Sequence, residues 1–216
     1  MTTVQRVNYV TSSPFKAQEN DVLVRLARLS DGTPVSDLFS FDIRKLPISE
    51  PLEIDIQIMV QAEVTKAYGL IRVPCVVEHA GLIFDDYKDK LYPGGLTKPM
   101  WDNLGAQFVE ETRSAGRRAT ARAVVAYCDG MSVQTFVGDT TGSIAPLPRG
   151  SRQFYWDSVF IPDDPSGAAS GKTYAEIVDD PALGLEYKVL QLSQSTRAML
   201  KFLEYLRKSE APALWR

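Results

Sequence analysis

Val73-Pro74-Cys75-Val76-Val77-Glu78-His79-Ala80-Gly81-Leu82-Ile83-Phe84 is the stretch on which the fold turns. Residues 73–77 are apolar, short and β-branched, the composition of a strand buried on both faces. Such a strand needs helices above and below it, and the flanking sequence supplies them. Residues 7–11 read as a first strand, and Ser12-Ser13-Pro14 caps a helix to about residue 29, with Val22, Leu23, Leu26 and Leu29 as its apolar stripe. A strand is expected around 38–43. After the break between Pro47 and Pro51 a helix is expected over 52–68, with Ile54, Ile58, Ala62 and Thr65 on one side. Downstream, Pro93-Gly94-Gly95 is a turn and 99–112 a helix. Residues 119–129 and 131–138 alternate as strands, joined at the hairpin signal Asp129-Gly130. A Pro/Gly/Ser/Ala-rich loop spans 162–172, and Ser193 or Ser195 caps a last helix over 193–208. This order predicts a mixed α/β domain.

At 216 residues, 44% apolar and 24% charged, the chain fits one large soluble domain or two closely joined lobes. A net charge of −3 excludes a general electrostatic grip on a nucleic-acid polymer or an anionic membrane, while a local basic cleft stays possible. Cys75 and Cys128 lie in apolar runs and read as reduced core residues of a cytoplasmic protein, not as a disulfide or metal framework. The opening residues have no apolar h-region, so no signal peptide is expected, and no run is long enough to span a bilayer.

Several short constellations could carry chemistry. Thr11-Ser12-Ser13-Pro14-Phe15-Lys16 places hydroxyls and a lysine at a helix N-terminus, where unpaired N–H groups and the helix dipole favour an anion; a plain N-cap with a surface lysine is the ordinary alternative. Glu53 and Asp55 sit near a helix start, where acidity is common anyway. His79 is the one histidine of the chain and falls just past the predicted central strand, where ligands of open α/β sheets gather. Tyr92-Pro93-Gly94-Gly95-Leu96-Thr97-Lys98 is a turn ending in a lysine. Phe154-Tyr155-Trp156-Asp157, close after Arg149-Gly150, combines aromatic faces on which any nucleobase could stack with one carboxylate.

In order and spacing, residues 7–199 resemble the inosine triphosphate pyrophosphatase (ITPase) family. Thr11 and Lys16 match its Thr-Gly-Asn-x-x-Lys, with Ser12 and Ser13 in place of Gly and Asn. Asp55-Ile56-Gln57 resembles its Glu-Ile-Gln, and Lys66-Ala67 a lysine of the same helix. Val77-Glu78-His79-Ala80-Gly81-Leu82 resembles Val-Glu-Asp-Thr/Ser-Gly-Leu, with His79 where the family has its central Asp. Residues 92–98 resemble Pro-Gly-Pro-Tyr-x-Lys, and Phe154-Tyr155-Trp156-Asp157 resembles Phe-Gly-Trp-Asp, Tyr155 replacing the glycine. In the last helix, Gln194-Ser195 stand where the family has a His-Arg pair that reads a six-oxo purine, and Lys188 lies one residue off the spacing of a family lysine.

The resemblance implies an elongated mixed β-sheet flanked by helices, forming a single domain over 1–216 of two lobes with a central nucleotide cleft, and a homodimer. It implies hydrolysis of a nucleoside triphosphate to the monophosphate and pyrophosphate, with base specificity altered by the substitutions. Thr11, Ser13, Lys16, Lys66 and Lys98 would hold phosphates; Phe154, Trp156, Asp157, Gln194 and Ser195 the base; Asp55 and Glu78 a Mg²⁺ ion. His79, Glu78 and Lys98 would be catalytic. Imidazole suits Mg²⁺ far less than carboxylate does. The alternative is therefore a nucleotide-binding sensor or partner subunit of the same fold that no longer hydrolyses.

Overall fold

The computed structural model describes residues 4–151 and 155–209. β1 (Gln5–Val10) leads into α1 (Pro14–Leu26) through a capped turn. Ser13 Oγ accepts from the Lys16 N–H, and Pro14 occupies the first helical position, where its missing N–H has no partner to lose. The helix stops at Leu26, short of the predicted end near 29, because Ala27 is extended and Arg28 bridges to Pro34. A single turn, α2 (Val35–Leu38), precedes β2 (Phe39–Arg44). α3 (Ile56–Ile71) starts four residues later than expected because Asp55 is its N-cap, taking the Gln57 N–H at 2.8 Å. Its buried stripe is Ile56, Met59, Val60, Glu63, Val64 and Ala67. The stripe expected through Ile58 is corrected accordingly, since that side chain is 54% exposed.

β3 (Cys75–Phe84) is twice as long as the apolar run suggests. It continues straight through Glu78 and His79, so both lie within the strand and not past its end. Pro93–Gly94 forms the short β4, and α4 (Thr97–Leu104) ends at Gly105, whose φ of +54° breaks the single helix expected over 99–112. α5 (Phe108–Glu111) is one turn. β5 (Arg118–Cys128) and β6 (Val133–Ile144) are joined by a four-residue loop, in which Asp129 Oδ1 accepts from the N–H groups of Met131 and Ser132. A 3-10 turn over Tyr155–Ser158 leads into β7 (Phe160–Pro162). α6 (Tyr174–Asp179) starts with a capping box between Thr173 and Glu176. α7 (Gly184–Tyr187) runs into a π turn at Lys188–Leu192, and α8 (Gln194–Lys208) starts from its cap Ser193.

The sheet runs β2-β1-β3-β5-β6-β7, with β4 beside the end of β3. β1 is parallel to both β2 and β3, whereas β3, β5, β6 and β7 pair antiparallel. Successive side chains of a strand face opposite ways. Val76 accordingly packs with α1 and α8 (Val22, Leu23, Met199, Phe202), while Cys75 and Val77 pack with α3 (Val60, Val64, Ala67). A third apolar cluster covers the far end of β3 and β5, where Leu82, Phe84 and Ala121 meet Trp101, Trp156 and Tyr174. Among the described residues, no helix is long and apolar enough to cross a membrane.

α8 lies close on β6. A Cβ added at Gly138 would overlap the Gln194 carbonyl oxygen and the Ala198 nitrogen, both backbone atoms that cannot rotate aside. Gly138→Ala is expected to lose about 1–3 kcal/mol in urea unfolding, the usual cost of overpacking.

Candidate active site

Glu78 faces the α1/α8 side of the sheet and is 4% exposed. Burying a lone carboxylate costs several kcal/mol, and here three elements answer it. Lys16 Nζ stands 3.0 Å from Oε2, the Tyr9 hydroxyl donates to Oε2 at 3.1 Å, and the Ser195 hydroxyl donates to Oε1 at 3.1 Å. Burial works to raise the Glu78 pKa, but the ammonium of Lys16, with smaller help from His79 and the Ser195 hydroxyl, outweighs it and holds the carboxyl below its ordinary range.

One residue on, His79 faces the α3 side. Its Nε2 lies 2.8 Å from Oε2 of the buried Glu63 and 4.0 Å from Oε1 of Glu50. Glu50 in turn takes Lys98 Nζ at 3.0 and 3.1 Å. Lys98 reaches this place because Thr97, fully buried, accepts from the Leu82 N–H at 2.9 Å and donates to the Gly94 carbonyl at 2.6 Å, pinning the start of α4 to β3. Burial would lower the Lys98 pKa, yet the Glu50 carboxylate raises it overall.

These two faces meet at a hollow of about 240 Å³ at the N-terminus of α1. Of the residues predicted from sequence, Thr11, Ser13, Lys16, Glu78, His79, Lys98 and Trp156 line it together. Glu50, Glu63 and Tyr155 line it too and were not predicted. Glu63 was findable in principle, as an acid interrupting the apolar stripe of α3. Glu50, in a Pro-flanked loop without periodicity, gave no signal. Tyr155 sits at φ +38°, a region that suits glycine and that an aromatic residue adopts only under constraint. Its ring lies 5.9 Å from Lys98 Nζ.

Among the other residues expected from sequence, Asp55, Lys66, Asp157, Gln194 and Ser195 do not line the hollow. Asp55 spends its carboxylate capping α3 and does not line the hollow. Lys66 lies off the buried stripe of α3, bonds the Ser49 carbonyl at 3.3 Å and is exposed. Trp156 is 2% exposed and packs edge-on against Phe160, 5.8 Å between centroids, so only its margin borders the hollow. Gln194 is buried beneath the Tyr174 hydroxyl, which donates to its Oε1 at 3.0 Å, and Ser195 is held by Glu78. Phe154 lies outside the described residues. Asp157 is buried under Lys188, whose ammonium also takes Glu19 at 2.7 Å. Lys188 opens the π turn at Lys188–Leu192, in which each turn carries one more residue than an α turn.

The Mg²⁺ pair read from sequence does not assemble. Asp55 and Glu78 are committed elsewhere, and the carboxylates at the hollow are each matched to a cation or imidazole: Glu50 to Lys98, Glu63 to His79, Glu78 to Lys16. Among the described residues, no three His, Cys, Asp or Glu side chains group as a metal site. Asp55, capping α3, and Glu78, held by Lys16, do not together fit a Mg²⁺ ion.

The geometry defines an α/β protein with a hollow at a helix N-terminus, lined by two lysines, a histidine and three carboxylates. A family model for the Ham1 family matches residues 7–205, and the chain belongs to that family. It is 30% identical over 216 residues to the dITP/XTP pyrophosphatase of Ignicoccus hospitalis, covering 94% of this chain and 97% of that protein. It is 36% identical over 117 residues to inosine triphosphate pyrophosphatase 2 of Trypanosoma cruzi, a match that spans 57% of that protein. In three dimensions it is similar to a HAM1 protein from Coxiella burnetii, with a TM-score of 0.66 over 96% of this chain and all of that one, at 18% identity.

Two predictions follow from the buried cluster. Lys188→Met leaves Glu19 and Asp157 unpaired and is expected to lose about 3–5 kcal/mol in urea unfolding. Burial pushes Asp157 up to about 6; Lys188 opposes the rise and Glu19 adds to it. Unfolded aspartate titrates near ~3.9, so the folded protein holds this proton more tightly. The resulting stability is full below about pH 4 and is lost as pH rises through about 6. Between those limits the melting temperature of the wild type should fall with pH relative to Asp157→Asn.

Proposed function

We propose that the protein is a nucleoside triphosphate pyrophosphohydrolase whose phosphate site is the hollow bearing Lys16 and Lys98. The observation that carries this is the convergence of two lysines, from α1 and α4, on one helix N-terminus in a chain of net charge −3. A single domain of two lobes, with the nucleotide lying between them, accompanies this reading.

The reaction is attack of water on the α-phosphorus. The water oxygen forms the new P–O bond while the bond from that phosphorus to the bridging oxygen breaks, and its electron pair leaves with pyrophosphate. One proton leaves the water for a base on the protein. His79 is the group in the hollow suited to take it, since imidazole exchanges protons near neutral pH. The lysines supply fixed positive charge where charge develops.

The two lysines contribute differently. Lys98 and Glu50 are paired where both are partly exposed, with side-chain exposures of 33% and 42%. Such a pair is worth about 0–1 kcal/mol, so a phosphate readily draws Lys98 away from Glu50. Lys16 is held against buried Glu78 and acts as a fixed wall.

The base is not assigned to Gln194 or Ser195, because both side chains are engaged inside the protein. Phe15, Tyr155 and Trp156 all border the hollow, and of these the half-buried Tyr155, beside Lys98, is the better candidate to meet a heterocycle. The second reading, a nucleotide-binding subunit that no longer hydrolyses, draws on the imidazole of His79 standing where the resembling motif has a carboxylate. A homodimer and a cytoplasmic location belong with the family resemblance.

Inosine, xanthosine and the four common triphosphates, supplied as magnesium salts, are the test. Pyrophosphate release is expected from at least one, and Lys98→Ala should lower kcat/KM by about 10²-fold, the cost of losing one charged donor to the transition state. Triphosphates that raise the melting temperature with no pyrophosphate released would favour the second reading.

A further inference from the structure

Glu63 is 3% exposed and stands on the apolar stripe of α3, among Val60, Val64 and Ala67. Its Oε2 lies 2.8 Å from His79 Nε2, and its Oε1 is buried with no hydrogen-bond partner among the described residues. On packing grounds alone an apolar side chain at this position would be at least as stable, because a half-satisfied buried carboxylate costs free energy. The acid therefore calls for a reason other than stability, and its one partner among the described residues is the histidine of the hollow.

We propose that Glu63 is a positioning residue for His79. By accepting the Nε2 proton, its carboxylate selects the tautomer in which Nδ1 is the basic nitrogen, and it fixes the ring at the wall of the hollow. The charged groups around the ring are Glu63 from α3, Glu50 from the loop before it, Glu78 from the neighbouring strand position, and Lys16 and Lys98 from α1 and α4. Glu50 and Glu78 both have cation partners of their own, so Glu63 is the carboxylate left to the imidazole. The chemistry rests on the pyrophosphohydrolase reading. Water gives a proton to Nδ1 as its oxygen bonds to phosphorus, the resulting imidazolium is stabilised by the Glu63 carboxylate, and the proton then passes to solvent. Carboxylate, imidazole and attacking oxygen in series are the arrangement that orients histidine bases elsewhere.

The chain has a single histidine, so the imidazole ¹⁵N NMR spectrum of the whole protein reports His79 alone. At pH 8 the wild type is expected to show the Nε2–H tautomer. Glu63→Met, similar in length and apolar, is expected to fold with equal or higher melting temperature, to show mixed tautomers, and to lower kcat by about 10²–10⁴-fold with KM within about threefold. Glu63→Gln keeps an acceptor for Nε2–H and should restore the tautomer while recovering only part of kcat, since it carries no charge to stabilise the imidazolium. An unchanged ¹⁵N spectrum in Glu63→Met, a wild-type ring protonated at both nitrogens at pH 8, or an unchanged kcat would each overturn the proposal. If the wild type releases no pyrophosphate from any triphosphate, the pyrophosphohydrolase reading fails and the general-base step falls with it. The ¹⁵N comparison of wild type with Glu63→Met still decides whether Glu63 positions the ring.

Discussion

The buried carboxylate of Glu78 is the interaction on which the rest of the site depends. It draws Lys16 from α1, Tyr9 from β1 and Ser195 from α8 onto one point of β3. An unanswered carboxylate at 4% exposure would be untenable, so these elements are tied together by the cost of leaving it alone. The same contact fixes the N-terminus of α1 against the sheet and so sets one wall of the hollow. Strand alternation then dictates the other wall. With Glu78 pointing to α1 and α8, His79 has to point to α3, where Glu63 meets it.

The hollow is a place of matched opposites. Three acids face two lysines and an imidazole, each acid with its own partner. The pairs differ in burial, and that difference assigns their work. The Lys16–Glu78 pair is structural because neither group is open enough to let go cheaply. The Lys98–Glu50 pair is exposed enough to exchange its carboxylate for a phosphate. The Glu63–His79 pair sits between these extremes, with an acid that is buried and a ring that borders the hollow.

Much of the architecture was legible in the sequence. The β-branched run at 73–77, the Ser13-Pro14 cap and the alternation of 119–138 gave the central strand, the first helix and the hairpin pair, because each signal is local. The end of β3 was not legible. Glu78, His79, Ala80 and Gly81 look like a loop by composition and are held in strand geometry only by pairing with β5 from Gly81↔Arg122 to Glu78↔Val125. Motif spacing brought Lys16, His79 and Lys98 to one hollow: Lys16 and Lys98 stand at helix starts that the motifs mark, and His79 lies on the strand between them. It failed on α3, where a motif match at Asp55 and Lys66 competed with helical periodicity. The buried stripe puts Glu63 at the site, turns Lys66 to solvent and leaves Asp55 as a cap. It failed again at Gln194 and Ser195, whose neighbours Tyr174 and Glu78 are distant in sequence and claim both side chains.

A crystal structure with a non-hydrolysable nucleoside triphosphate bears most directly on the claim that this hollow grips a polyphosphate. The expected result has phosphate oxygens within hydrogen-bond reach of Lys98 and of the N-terminus of α1, Glu50 released from Lys98, and His79 still on Glu63. A triphosphate seated elsewhere, with Lys98 still on Glu50 and the hollow filled by solvent, would contradict it.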